Sequence, residues 1–279
     1  MDAKLQRRVQ RYGWDKAASC YERSWQNQLE PAQSALLDLA GLGPGIEVLD
    51  VACGTGLVTL RAAAPIVPRG RIVGTDISEQ MVLAARDIAA SRGIANAHFE
   101  RMEAEQSTFG DNSFDVVLCA LGLMYVPDPE KAIRDFHRVL RPGGRAVCAV
   151  WGQRSKCGWA EIFPIVDARV QSEVCPMFFR LGTAQNLQHA FSAAGFGDIV
   201  ERRLETRLEY ASGDEACDAA FVGGPVALAY SHFSPDMKSE ARKEYLESLK
   251  AHRIGEHYSI PGEFVVVAGA KVNHRSPAE

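Results

Sequence analysis

Short, nearly continuous apolar runs recur through the first half of the chain, at 47–51, 71–74, 97–99, 114–119 and 145–151. Between several of them the apolar positions spread to a three-and-four spacing, at 57–64, 79–92 and 129–140. Period-2 or solid runs read as strands and the wider spacing reads as helix, so the pattern predicts strand–helix–strand units building a parallel sheet covered on both faces. Ser78 is placed to cap the 79–92 helix, and Pro142-Gly143-Gly144 ends the 129–140 helix. Ahead of the first strand, 12–27 and 31–42 read as helices, closed by the glycine-rich stretch Gly41-Leu42-Gly43-Pro44-Gly45.

The second half is less regular. A helix is expected over 183–194, stopped by Gly195, then a long strand over 198–210 and a valine-rich final strand over 262–272. The intervening stretch of about fifty mainly helical residues, with helices at 214–222 and 235–252, is longer than a plain connection between strands and is expected to cap a site. The reading is therefore an α/β, doubly wound, Rossmann-like and mostly parallel seven-stranded sheet in one domain over 1–279. Within it, 1–42 supply N-terminal helices, 43–152 a ligand-binding core, 153–194 and 211–260 a substrate cap, and 195–210 and 261–272 the last strands.

Composition narrows the function. The 279 residues carry a formal net charge of −4, without the basic bias that a nucleic-acid surface needs, so no nucleic-acid partner is expected. The polar start and the absence of a long apolar run predict neither a signal core nor a membrane span. Seven cysteines lack paired metal-ligand spacing, and Cys53, Cys119 and Cys148 fall inside apolar runs where cysteine acts as a small hydrophobe. A reducing, cytoplasmic setting and no bound metal follow as expectations. A homodimer is left open.

The stretch Glu47-Val-Leu-Asp-Val-Ala-Cys-Gly-Thr-Gly56 carries the chemistry. A strand that runs through an aspartate into two glycines and then a helix brings backbone close to a nucleotide-like ligand. The dinucleotide fingerprint wants a third glycine where Thr59 stands, which counts against a nicotinamide cofactor. About twenty residues on, Asp76 ends the next strand, where a carboxylate can take ribose hydroxyls. A capping role for Asp76 is the alternative, although Ser78 is the better cap.

Five signatures in order resemble the class I S-adenosylmethionine-dependent methyltransferases, and within them the ubiquinone and menaquinone biosynthesis branch (methyltransferase type 11). They are VLDVACGTG at 48–56, GTDIS at 74–78, FERMEAEQSTFGDNSFDVV at 99–117, RVLRPGGRAVCAV at 138–150 and AGFGDIV at 194–200. The resemblance is strong from 12 to 151 and continues beyond only in outline. It implies S-adenosyl-L-methionine as cofactor, S-adenosyl-L-homocysteine as product, and methyl transfer to a small-molecule acceptor. It puts Asp50 near the methionine ammonium and lets Gly54 and Gly56 approach the methionine and ribose. Asp76 would hold the ribose, Ile77 and Met81 the adenine ring. Glu103 stands where the family has an aspartate that accepts from the adenine amino group, and the Ala104 amide follows it. Ala52 in the turn, and Cys119 and Leu121 at the end of the fourth strand, belong to the same cofactor set. Tyr21 matches an aromatic that closes over the methyl end, with plain helix packing as the alternative.

The resemblance brings the segment from Leu121 to Val126 to the junction between cofactor and acceptor, with Tyr125 as its polar handle. The cap stretches at 175–182 and 221–233 are rich in aromatic and small residues, which makes Met177, Phe178, Phe179 and Phe221 candidate acceptor contacts. That lining suits an apolar or aromatic acceptor carrying one reactive hydroxyl, amine or carbon, so O-, N- and C-methylation all stay open. The chain lacks the Asn-Pro-Pro-Tyr of adenine and glutamine methylation and the strand-four aspartate of metal-dependent catechol methylation. Arsenic methylation through Cys157 and Cys175 stays a remote option. No general base is assignable, and an ionised acceptor needs none. A cofactor-binding protein of this fold that transfers no methyl group is the competing reading.

Overall fold

The computed structural model describes residues 3–170 and 177–272. Its strands are β1 (Glu47–Val51), β2 (Arg71–Asp76), β3 (Ala97–Arg101), β4 (Phe114–Ala120), β5 (Leu140–Trp151), β6 (Phe196–Tyr210), β7 (Arg253–Ile254) and β8 (His257–Lys271). They form one sheet in the order β3-β2-β1-β4-β5-β8-β6, and the two-residue β7 pairs only with β8. The expected seven long strands are present, and β7 is an addition that a two-residue run does not signal. Strands β1 to β5 are parallel, whereas β8 runs antiparallel between β5 and β6. Because the order turns back after β1, the connections that leave the carboxyl ends of β1 and β4 part from each other and open a crevice where ligands of such sheets bind.

The strands that read as solid apolar runs are buried on both faces. Val48, Leu49, Ile72, Val117, Leu118, Val147 and Val266 are all at most 1% exposed. Helices α1 (Ala3–Ala17), α2 (Tyr21–Ala40), α3 (Leu57–Ala63), α4 (Glu79–Ser91) and α5 (Pro129–Val139) precede β5. Beyond it come α6 (Ile162–Asp167), α7 (Asn186–Ala193), α8 (Gly213–Phe221), α9 (Ala227–Ser231) and α10 (Pro235–Ser248). Ser78 caps α4 as expected, its hydroxyl accepting from the Met81 N–H at 3.1 Å.

The N-terminal helices differ from the expectation. The break falls at residues 18–20, and α2 continues through Pro31. Proline removes one backbone hydrogen bond and normally costs about 3 kcal/mol inside a helix. Here Trp25, Leu29, Ala32, Ala35 and Leu36 bury one face of α2 in the core, and that burial outweighs the lost bond. Gly41 then ends α2 with a left-handed φ of 65°. Among the described residues, no helix is long and apolar enough to cross a membrane. Cys175 lies outside the described residues.

Candidate active site

The crevice begins with the turn after β1. Ala52 (φ 56°), Gly54 (φ 56°) and Gly56 (φ 87°) all take left-handed backbone, and Leu121 at the end of β4 does so too (φ 62°). For Ala52 and Leu121 that conformation costs about 1–3 kcal/mol each, which the flanking ladder supports: the Leu121 N–H donates to Ala149 O at 2.8 Å. A Cβ on Gly54 would stand 3.6 Å from the Tyr21 ring, and one on Gly122 would lie 2.4 Å from Ala52 Cβ. The two strand ends are drawn together tightly enough that only backbone fits between them.

Asp76 ties the turn to β2. Its Oδ2 accepts from the Gly54 N–H and its Oδ1 from the Ser78 N–H, both at 2.9 Å. Burial pushes this carboxyl up to about 6, with the two N–H bonds opposing and the Asp15 charge adding to the rise. Each oxygen keeps a second lone pair for a ligand hydroxyl. The cap of α4 is Ser78 and not Asp76, which braces the turn and lines the crevice.

Asp50 lies one layer deeper. It is 1% exposed, its Oδ2 accepts from the Thr59 hydroxyl at 2.5 Å, and its Oδ1 has no hydrogen-bond partner among the described residues. Burial pushes its carboxyl up to about 7. Thr59, which breaks the three-glycine pattern, is thus the residue that holds this buried acid.

Helix α1 lies across the crevice, clipped at both ends. Near its C-terminus, Asp15 Oδ1 accepts from the Ser78 hydroxyl (2.6 Å) and the Gln80 N–H (3.1 Å). Near its N-terminus, the Arg7 guanidinium lies 2.6 Å from Glu105 and 3.4 Å from Glu103. Glu105, 3% exposed, also accepts from the Asp128 N–H at 2.9 Å, so it joins α1 to the loop after β4.

The enclosed space, counting its mouth, is about 1000 Å3. From the β3–β1 side it is lined by Glu103, Ala104, Asp76, Ile77, Met81, Gly54 and Ala52. Ala120, Leu121, Gly122 and Tyr125 follow at the end of β4, then Trp151 at the end of β5 and Trp159 beyond it. Arg7, Gln10 and Trp14 of α1 and Tyr21, Trp25 and Leu29 of α2 complete the walls, with Pro225 from the α8–α9 loop. Trp14 stands edge-on to Tyr21 (5.8 Å) and Tyr125 (5.1 Å), and Trp151 edge-on to Trp25 (6.4 Å) and Trp159 (4.8 Å). Burial, with the Asp76 charge beside it, pushes the Tyr21 phenol well above its ordinary value, so it stays neutral.

Several expected contacts lie behind this wall. Gly56 backs onto Phe99, where a Cβ would come within 3.2 Å, and it starts α3 instead of lining the crevice. Cys119 is wholly buried opposite Cys148 in the β4–β5 ladder, and Asp50 sits beneath the turn; none of the three lines the cavity. Four expected acceptor contacts also fall elsewhere. Phe178 packs its ring on Tyr125 (5.4 Å) and Trp159 (5.6 Å), and Phe179 on Trp159 (5.7 Å), so both support lining residues from outside. Phe221 stacks on Tyr230 at 4.7 Å in the core between α8 and α9, and Met177 is 53% exposed. Arg7, Gln10, Trp25, Glu105, Trp151 and Trp159 were not expected here. The only sequence signal for them is that Glu105 lies two residues after Glu103 inside the 99–117 signature and Trp151 ends a strand beside the switch point. Among the described residues no group of histidine, cysteine or carboxylate side chains could hold a metal ion.

Residues 48–144 match a family model described as a methyltransferase domain. Along most of its length the chain is 28% identical to nocamycin O-methyltransferase of Saccharothrix syringae, over 87% of this chain and 91% of that enzyme. It is 44% identical to the ubiquinone/menaquinone biosynthesis C-methyltransferase UbiE of Ectopseudomonas mendocina, but over only 39% of this chain and 43% of that enzyme. In three dimensions it resembles the YcgJ protein of Bacillus subtilis (TM-score 0.62, 18% identity, 88% of this chain and 99% of that one). It also resembles phosphoethanolamine N-methyltransferase 2 of Haemonchus contortus, solved with S-adenosyl-L-methionine (TM-score 0.59, 18% identity, 93% of this chain and 57% of that one). At those identities the likeness is one of fold.

Proposed function

We propose that the chain is a class I S-adenosylmethionine-dependent methyltransferase and that it methylates a hydroxyl of a small, apolar or aromatic molecule held beside Tyr125. The observation that carries this reading is the crevice at the β1–β4 switch point, braced by Asp76 on one side and walled by aromatic rings on the other. The O-methyltransferase relative aligns along nearly its whole length, whereas the C-methyltransferase match stops at the core, which favours oxygen as the methylated atom.

S-adenosyl-L-methionine supplies a methyl group on a sulfonium. The residues present fit it. Asp76 has lone pairs to spare for the ribose hydroxyls, and the Gly54 turn leaves room where a side chain would stand against Tyr21. Asp50, with an unpartnered buried oxygen beneath the same turn, offers a free carboxyl oxygen below the methionine end. Ile77 and Met81 offer the adenine an apolar wall, and Glu103 and the Ala104 amide lie at its edge. Tyr21 and Tyr125 each stand edge-on to Trp14 in the crevice wall, and a cation over the face of any of these rings would gain cation–π attraction. Adjacent strands lie about 4.8 Å apart, so β5 is about 10 Å from β1, enough to seat an acceptor next to the cofactor. Helix α1 lies over the crevice. Orientation of this kind supplies several kcal/mol of barrier lowering.

Titration with S-adenosyl-L-methionine, S-adenosyl-L-homocysteine and NAD+ tests the cofactor, with heat expected from the first two alone. Incubation with phenols, quinols and polyketides, read by S-adenosyl-L-homocysteine formed, tests transfer. Binding without that by-product across the whole panel favours the non-transferring reading.

A further inference from the structure

The charged groups of the crevice are unevenly distributed. Arg7, Asp76, Glu103 and Glu105 line the part beside β2, β3 and α1, where Glu105 reaches the loop after β4 through the Asp128 N–H. Each is engaged: Asp76 by two backbone N–H groups, Glu105 by Arg7 and the Asp128 N–H, and Glu103 by Arg7. The half over β4 and β5 is walled by Trp25, Leu29, Tyr125, Trp151, Trp159 and Pro225. Among the described residues, that half offers an acceptor no imidazole, carboxylate or amine. A buried apolar chamber of this kind penalises a phosphate or an amino-acid zwitterion heavily and accommodates a flat, uncharged ring.

Resting on the methyltransferase reading above, we propose that the acceptor is a neutral, flat, hydroxylated ring of phenol or enol type. We further infer that its hydroxyl is made acidic by the positive charge of the bound methyl donor and not by a protein base. The hydroxyl releases its proton to solvent. The oxygen lone pair then forms the new O–CH3 bond while the S–CH3 bond breaks, and that electron pair stays on sulfur. The sulfonium charge and the oxyanion charge cancel in the step, so a low-polarity aromatic chamber favours it. A positive charge within about 4–6 Å lowers the pKa of an acid by about 1–3 units, which replaces the missing base.

The test uses the whole protein and 4-nitrophenol, whose ionised form is read by its visible absorbance. The phenol is titrated with pH in two complexes, one with neutral S-adenosyl-L-homocysteine and one with sinefungin, which carries an ammonium where the sulfonium would be. The inference predicts an ionisation midpoint about 1–3 pH units lower in the sinefungin complex. It also predicts at least tenfold weaker phenol binding in Trp151→Ala with S-adenosyl-L-homocysteine affinity unchanged, and no competition by 4-nitrophenyl phosphate. Equal midpoints in both complexes overturn the charge-driven step, because a protein base would act in either. A complex that has bound S-adenosyl-L-homocysteine yet takes up no 4-nitrophenol, or prefers the phosphate, overturns the acceptor class while leaving the methyltransferase reading intact. Failure to bind either cofactor analogue overturns that reading instead.

Discussion

At the scale of single residues, two buried carboxyls control the turn. Asp76→Ala removes the acceptor for two backbone N–H groups as well as any ribose contact, whereas Asp76→Asn keeps one carbonyl oxygen. A lost hydrogen bond to a charged group costs about 1.5–3 kcal/mol, so S-adenosyl-L-methionine affinity is expected to fall at least about tenfold in the alanine variant and less in the asparagine one. Calorimetric titration of both checks this, and unchanged affinity in Asp76→Ala removes the ribose assignment. Asp50 makes a different prediction. Its folded-state pKa lies near 7, above the unfolded carboxyl value, so the native state retains a proton that the unfolded chain releases. Stability from this group is fully present below about pH 4 and is lost as pH rises through about 7. The cofactor-free protein should therefore melt at lower temperature at about pH 8 than its Asp50→Asn variant does relative to each protein's own value at about pH 5. Parallel melting profiles for the two contradict the buried, proton-holding state of Asp50. The sequence marked both acids by their place in a strand–turn pattern. It did not distinguish the one that faces the crevice from the one beneath it, because that depends on which neighbour supplies a hydroxyl, here Thr59.

At the scale of elements, α1 is the part of the site that local pattern conveyed least. Strands β1, β2, β4 and β5 were readable because a strand buried on both faces is largely apolar, as Val147 to Val150 illustrate, whereas the edge strand β3 alternates buried Ala97 and Phe99 with exposed His98 and Glu100. The α1–α2 break carries no glycine or proline, while Pro31, the obvious breaker, is tolerated by the packing of Trp25 and Leu29. Likewise Phe178 and Phe179 read as acceptor contacts because an apolar ring looks the same in a core as in a cavity wall; only the crossing of α2 and β5 decides that Trp25 and Trp151 line it. The two clips make α1 testable. Arg7→Ala leaves buried Glu105 with a single N–H partner and is expected to cost about 1–3 kcal/mol, read by denaturant unfolding. Asp15→Ala removes the acceptor for Ser78 and Gln80 at the start of α4. If α1 closes over the ligand, both variants release bound S-adenosyl-L-homocysteine faster in stopped-flow displacement. Unaltered release rates mean that α1 does not gate the crevice.

For the molecule as a whole, the sheet order, the pinched strand ends and the aromatic chamber converge on one chemistry, methyl transfer. Transfer to the correct acceptor is expected to survive exhaustive chelation; loss of turnover that magnesium or zinc restores would show a ligand set the described residues do not contain. Truncating Trp159 to alanine is expected to lower kcat/KM for the acceptor with little change in cofactor affinity, since it lies at the β5 end of the crevice, and to cost about 3–5 kcal/mol of stability through its packing on Trp151 and Phe178. The most direct measurement of the central claim is calorimetric titration of the unmodified protein with S-adenosyl-L-methionine. The structure predicts saturable heat at one site per chain, competed by S-adenosyl-L-homocysteine and untouched by NAD+. An absence of heat from S-adenosyl-L-methionine, or saturable binding of NAD+ in its place, would contradict it.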